Sequence, residues 1–427
     1  VTPLPVTPAA GPVDAVVEVP GSKSITNRAL VCAALAAGTS WLHRVAPGDD
    51  TVAMVDGLRV LGVGVEVEGA TAVVAGSDGR LTASDVTVRA GLAGTTSRFL
   101  TAVGALAPGP VTIDGDAPLR RRPMGPLHEA LRSLGAAVEP LGAPGHLPVR
   151  LTHHHLHGGR VALPGDVSSQ YVTALMLIGP LLDEGLTIEL TTPLVSRPYV
   201  SVSAAVMAAF GAEGIAVGEH LIRVEPGRYT ATELAIEPDA SSASYPLAAA
   251  AICGGQVTVA GLGRDALQGD ARFADLLATM GCEVERTAGS TRVRRRPGSV
   301  LHGIEVDMAD LSDLVPTVAA VAAFASTPTR ITGVGFIRHK ESDRIGDLVA
   351  ELQRLGIDAV AEPDGLAVAP GAPTGATVRT HHDHRLAMAL SLVGLAVPGV
   401  AIDEPEVVSK SWPSWWEVLS RLRASAG

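Results

Sequence analysis

The chain is short of nearly everything that marks a specialised class of protein. Three cysteines stand in 427 residues, none at CxxC spacing. That excludes a disulfide framework and a thiolate-rich zinc site, and Cys32, Cys253 and Cys282 read as buried free thiols of a reducing cytosol. Aromatic residues are only 3% of the chain, and no apolar run reaches the roughly eighteen residues of a membrane span. Residues 1–20 lack a basic start followed by an apolar stretch, so no secretory signal is expected and the location is read as cytoplasmic. An excess of positive charge is also missing. The formal net charge is −11, which argues against a generic nucleic-acid surface but leaves room for a local anion site. Lysine is the scarcest charged residue. Only Lys23, Lys340 and Lys410 occur among 33 Lys and Arg, so they mark places where a compact ammonium with a movable pKa serves and a guanidinium does not.

What is present is a large apolar fraction, 47%, with 47 Gly and 30 Pro, enough for two or three domains. It is arranged in a repeat. Six strand-to-helix junctions start near Val16, Val86, Gly159, Leu234, Gly303 and Ala376. They recur every 70 to 75 residues or so, too long a period for a solenoid. At each junction a β-rich run ends, small or polar residues follow, and an Ala/Leu/Val-rich helix begins. The recurring "LRSLGAAVE", "LATMGCEVE" and "LQRLGIDAV" put Gly just past a helix end, where a left-handed residue closes it. Each repeat therefore reads as a β-α-β-α-β-β unit. Three repeats make one domain, 21–228, and three make the other, 1–20 with 229–427, with the break at "VEPGRYT". If the six junction helices point their N-termini at one interdomain cleft, their partial positive ends make an anion site there.

The polar residues gather at these junctions. "VPGSKSITNRALVCAALAAG" is not a Walker loop, because Ser22 separates Gly21 from Lys23 and no glycine arch precedes it. It is a strand running into a helix start, with Lys23, Ser24 and Arg28 as side-chain donors. The plainer reading is a Ser-capped helix with a solvated lysine. "LAGTTSR" offers Gly94 and Thr95, and "GDVSSQY" offers Ser168, Ser169 and Gln170. "SRPY" adds Ser196 and Tyr199, and in "LRRRPMG" Pro123 is expected to hold Arg122 at a helix start. Asp313 in "DLSD" reads as an N-cap or as a base. "RHKESDRIGDL" carries Lys340, Glu341 and Arg344, "HHDHRLAMAL" carries Arg385 with Asp383 as a cap, and "VSKSWP" carries Lys410. The two His clusters, 153–157 and 381–384, lack the companions of a zinc site, and the first reads as a solvated edge strand.

Taken in order along the whole chain, "PGSKSITNRA", "AGTTSR", "RRPMG", "GDVSSQY", "SRPY", "KESDR" and "DHRLAM" resemble the EPSP synthase family, the 3-phosphoshikimate 1-carboxyvinyltransferases. The resemblance implies an α/β fold: a two-domain inverse α/β barrel of six repeats, with the active site in the interdomain cleft. It implies that Lys23, Ser24, Arg28, Ser168, Ser169, Gln170, Ser196, Tyr199, Asp313 and Lys340 bind shikimate 3-phosphate. Phosphoenolpyruvate would lie among Lys23, Gly94, Thr95, Arg122, Gln170, Arg344, Arg385 and Lys410. Asp313 and Glu341 would handle protons, with Lys23 nearby as the third catalytic residue. No cofactor and no metal are expected, the partners are the two small substrates alone, and a monomer is implied. Leu92, Phe99 and Phe336 depart from the commoner family pattern, while Gly94 leaves room for glyphosate, so sensitivity is expected. The related UDP-N-acetylglucosamine enolpyruvyl transferases usually carry Lys-Asn at the first junction and a loop Cys. Here Ser24 follows Lys23 and "LRRRPMG" has no Cys. A non-catalytic anion-binding protein on the same fold is the other alternative.

Overall fold

The computed structural model describes residues 2–152 and 155–426. The chain divides into two compact units, Val1–Pro20 with Glu237–Gly427, and Gly21–Ile236. Each has its own apolar core. Both cores are built mainly from Ala, Val, Leu and Ile, with few aromatic rings.

Every unit holds three small sheets. In the second repeat, strand Val86–Arg89 runs parallel to Val111–Asp114, and the hairpin Ala137–Pro140/Val149–Thr152 adds on antiparallel. A parallel pair needs a crossover, and the junction helix Gly94–Gly104 lies in it. The third and fifth repeats follow the same order. The first and fourth exchange their opening strands. Val13–Val17 pairs parallel with Gly255–Ala260, and Glu233–Ala235 pairs parallel with Thr39–His43. This exchange is why the first twenty residues belong with the second half of the chain. The sixth repeat departs from the expected β-α-β-α-β-β plan. Its parallel pair, Thr377–Val378 and Ala401–Ile402, is completed antiparallel by Leu4–Pro5 instead of a hairpin. Beyond Ile402 the chain turns through Pro405–Lys410 into helix Trp415–Ala424. Pro405 and Pro413 remove the donors a further strand would need there.

The junction helices Lys23–Leu35, Gly94–Gly104 and Ser169–Ile178 sit in one unit, and Ala240–Cys253, Val315–Ala322 and His384–Gly394 in the other. They are apolar nearly all round and buried accordingly. The outer helices Gly125–Ser133 and Gly346–Arg354 bury one face only, through Leu127 and Leu131 and through Leu348 and Leu352. Gly135, Gly281 and Gly356 close their helices at φ +105°, +105° and +75°, the left-handed position the repeated "LG" and "MG" pattern predicts. Among the described residues no helix is long and apolar enough to cross a membrane.

Candidate active site

The predicted residues form two groups, one on each unit. On Gly21–Ile236, helix Lys23–Leu35 opens with Ser22 as its cap, accepting from the Ile25 N–H. Gly21 has no substitute, because a Cβ there would lie 1.6 Å from the Arg44 carbonyl oxygen. Lys23 is ion-paired to Asp50 at 2.9 Å. Arg28, only 2% exposed, donates to Ser203 Oγ at 2.8 Å, to the Ser24 carbonyl at 2.8 Å, and to Thr173 Oγ1 and the Tyr199 carbonyl. Its guanidinium lies 5.3 Å from the centre of the Phe99 ring, so this departure from the family pattern supplies a face for the cation. Among the described residues no carboxylate partners Arg28. Burial without an acidic partner lowers its pKa to about 10, which an incoming anion would reverse.

The loop carrying the three arginines sorts them. Arg120 is clamped by Asp114, Nε to Oδ1 at 2.9 Å and Nη2 to Oδ2 at 2.7 Å, and Arg121 is exposed. Arg122 lies against Gly94. A Cβ at residue 94 would come within 2.4 Å of Arg122 Nη1 and 2.6 Å of Arg98 Nη1. The expected role of Pro123 needs correction. The helix begins at Gly125 with Pro126 in its first turn, and Pro123 contributes its carbonyl, which accepts from Tyr171 Oη and from Arg98. Ser168 caps helix Ser169–Ile178, accepting from the Gln170 N–H at 3.3 Å, and Gln170 reaches Thr95 Oγ1 through its amide nitrogen at 3.1 Å. Ser169 is buried. Ser196 is buried with left-handed backbone, φ +53°, immediately before helix Arg197–Ala209, which places Tyr199 in its first turn.

On the other unit the cations and carboxylates alternate. Asp313 is not an N-cap. It sits in the 3₁₀ turn Ser312–Leu314 leading into helix Val315–Ala322. Its Oδ1 accepts from Lys340 Nζ at 2.6 Å and Arg344 Nη1 at 3.0 Å, and its Oδ2 from Arg385 Nη2 at 2.7 Å. Burial alone would raise this carboxyl's pKa, but the Arg385, Lys340 and Arg344 cations outweigh it and hold it well below the usual range. Glu341 is held from both sides, by Arg344 Nη2 at 2.9 Å and Lys410 Nζ at 3.1 Å. Lys340 also reaches Ser312 Oγ and stands 5.8 Å from the Phe336 ring centre. Burial pulls its pKa down, against the opposing charge of Asp313. Each of the three lysines is thus paired with a carboxylate in one of these two groups.

Three residues that hold these groups together carried no site role in the sequence. Asp50 pairs with Lys23 from 27 positions away, a contact the local pattern does not signal. Arg98 sits inside "AGTTSR" but reads there as part of a helix. Asp383 does cap helix His384–Gly394, accepting from the Arg385 N–H at 2.9 Å, and it also takes Arg344 Nε at 2.7 Å. Arg344 is 1% and Asp383 0% exposed at the side chain. Of the His clusters, His153 and His154 lie outside the described residues. His155 is an exposed partner of Asp183 at 2.7 Å and lies beyond the strand Val149–Thr152. His381 pairs with Glu351 at 3.0 Å. Among the described residues no group of three His, Cys, Asp or Glu is placed to hold a metal ion.

Comparison with known proteins places the chain in a family. The family described as EPSP synthase (3-phosphoshikimate 1-carboxyvinyltransferase) matches residues 8–419. A 3-phosphoshikimate 1-carboxyvinyltransferase of Methanoculleus marisnigri is 43% identical, over 96% of this chain and 97% of that protein. One of Nostoc punctiforme is 40% identical over 95% of each. The solved structure of an EPSP synthase from Acinetobacter baumannii superposes with a TM-score of 0.83 at 26% identity, covering 99% of this chain and 98% of that one. The family match over residues 8–419 and relatives at about 40% identity over nearly their whole length show that the chain belongs to the EPSP synthase family.

Proposed function

We propose that the chain transfers the enolpyruvyl group of phosphoenolpyruvate to the 5-hydroxyl of shikimate 3-phosphate, with Asp313 and Glu341 as its proton-moving groups and Lys23 as a catalytic cation. The hydroxyl adds to C2 of phosphoenolpyruvate and the methylene carbon takes a proton, giving a tetrahedral intermediate. Phosphate then leaves and the new methyl group loses a proton.

The observation that carries this reading is the Asp313 cluster. Its carboxylate is kept ionised by three cations, so it is an acceptor for a hydroxyl proton rather than an acid. Those cations also weaken it as a base. An incoming carboxylate or phosphate that engages Arg344 and Arg385 draws them off and raises its basicity. Glu341, between Arg344 and Lys410, serves the methylene carbon, and Lys23 balances charge on the oxygen of the departing phosphate. On the other unit, Arg28 supplies a buried cation without a carboxylate, suited to a phosphorylated acid, with Ser24, Ser168, Ser169, Gln170, Ser196, Tyr199 and, from the Asp313 cluster, Lys340 completing the phosphoshikimate set. Gly94, Thr95, Arg122, Arg344, Arg385 and Lys410, with Lys23 and Gln170, receive phosphoenolpyruvate. The working form is a cytoplasmic monomer. Three free thiols, whose ionisation burial suppresses, fit a reducing compartment.

The test is release of inorganic phosphate from phosphoenolpyruvate with shikimate 3-phosphate or UDP-N-acetylglucosamine as acceptor. Release with the phosphoshikimate alone is expected, and Asp313→Asn and Glu341→Gln should each lower turnover by about 10²–10⁴. Release only with the nucleotide sugar, or none with either, overturns the assignment.

A further inference from the structure

We propose that Arg98 is a positioning residue that presents Gln170 and Arg122 together to phosphoenolpyruvate. The inference rests on the functional reading above and goes beyond it, to a side chain to which no role has been assigned.

Arg98 is buried on helix Gly94–Gly104, with its guanidinium 5.5 Å from the centre of the Tyr171 ring. It makes three contacts that matter. Nη1 donates to the Gly94 carbonyl at 3.0 Å, at the helix start where a Cβ would meet Arg122. The same nitrogen donates to Gln170 Oε1 at 2.9 Å. Nη2 approaches the Pro123 carbonyl, at 3.5 Å, one residue after Arg122.

The Gln170 contact has a chemical consequence. A guanidinium has donors only, so the face of the Gln170 amide turned to Arg98 has to be the carbonyl. The amide nitrogen is thereby turned toward Thr95, where one N–H is taken at 3.1 Å, and the other is directed to donate. An amide turned the other way would offer an oxygen to an anionic substrate. Arg98 thus selects the orientation in which Gln170 recognises an anion. The Pro123 contact works on Arg122. The backbone next to Arg122 is fastened through one carbonyl, shared by Arg98 and the Tyr171 hydroxyl, while the Asp114–Arg120 clamp holds the loop on its other side. Tyr171 therefore acts twice, as the face beneath Arg98 and as a second donor to the same carbonyl.

The two routes separate by mutation. Arg98→Met removes both, and Tyr171→Phe removes the hydroxyl bond to Pro123 while keeping the ring and the Arg98–Gln170 bond. The measurement is steady-state phosphate release, with KM determined separately for each substrate. Arg98→Met is expected to raise KM for phosphoenolpyruvate roughly 10- to 100-fold, and Arg98→Lys to recover part of the loss. Tyr171→Phe should raise the same KM about 3- to 10-fold and leave that for shikimate 3-phosphate unchanged. If Arg98→Met fails to fold, Tyr171→Phe and Arg98→Lys carry the test. Unchanged KM values in the variants, or a loss of active protein with KM unchanged, overturn the role of Arg98. Wild-type protein that releases no phosphate from these substrates overturns instead the reading on which it rests.

Discussion

At the residue scale the lysines repay closest attention. The chain uses arginine almost everywhere, yet Lys23, Lys340 and Lys410 each meet a carboxylate within one of the two residue groups. A guanidinium is larger and planar, so at these positions it would have to displace its partner or the substrate. Lys23→Arg keeps the charge but puts it beyond the compact geometry that the 2.9 Å pair with Asp50 sets. Turnover is expected to fall about a hundredfold or more, with the thermal midpoint nearly unmoved. Steady-state kinetics beside a thermal melt checks it, and near wild-type turnover would remove the special role given to the lysines. Gly94 belongs to the same scale: its missing side chain is the space Arg122 and Arg98 occupy.

At the scale of an element, the start of helix His384–Gly394 does two jobs through one carboxylate. Asp383 caps the helix and neutralises Arg344, and both charges are almost wholly buried. Removing one partner of such a pair leaves the other less well compensated. Asp383→Ala is therefore expected to cost about 2–4 kcal/mol in urea unfolding, the lost cap together with the lost charged hydrogen bonds to Arg344. Arg344 keeps Asp313 and Glu341 as partners, so the variant that does fold should show a raised KM for phosphoenolpyruvate. A loss of only about 1 kcal/mol would mean Asp383 is a cap and nothing more. The outer helix Gly125–Ser133 was legible to its closing glycine. Its start lies two residues beyond Pro123, a good helix-opening residue that is used here for its carbonyl.

At the scale of the whole molecule, stability against acid depends on groups the chemistry does not use. His128 lies 1% exposed in the core of Gly21–Ile236, and among the described residues neither ring nitrogen has a hydrogen-bond partner. Burial, reinforced by Arg132 and His146, lowers its pKa from 6.5 to about 4. Between those values the unfolded chain binds a proton that the folded chain refuses, so stability falls as pH drops through that window. The loss is up to about 3 kcal/mol. Asp313 behaves differently: its depressed pKa contributes stability above 3.8 and loses it only below. His128→Leu should flatten the fall in urea midpoint between pH 7 and pH 4.5, and should not destabilise at pH 7, where the ring's polar atoms are already without partners. An unchanged slope would place the acid sensitivity elsewhere.

The repeat, the strand-to-helix junctions and the closing glycines were legible in the sequence alone, as were most of the polar residues proposed for the site. Each of these is a local matter: a change of hydrophobic period, a turn residue, or a charge at a helix start is written in a few adjacent positions. Only the tertiary structure decided what those residues touch. The Lys23–Asp50, Asp313–Arg385 and Arg98–Gln170 contacts span 27, 72 and 72 positions. The opening strands of the first and fourth repeats trade sheets, and the first two strand residues finish the last repeat. Such pairings follow from which hydrogen-bonding edges and buried charges find complements across the folded chain, and no local stretch of sequence encodes that choice.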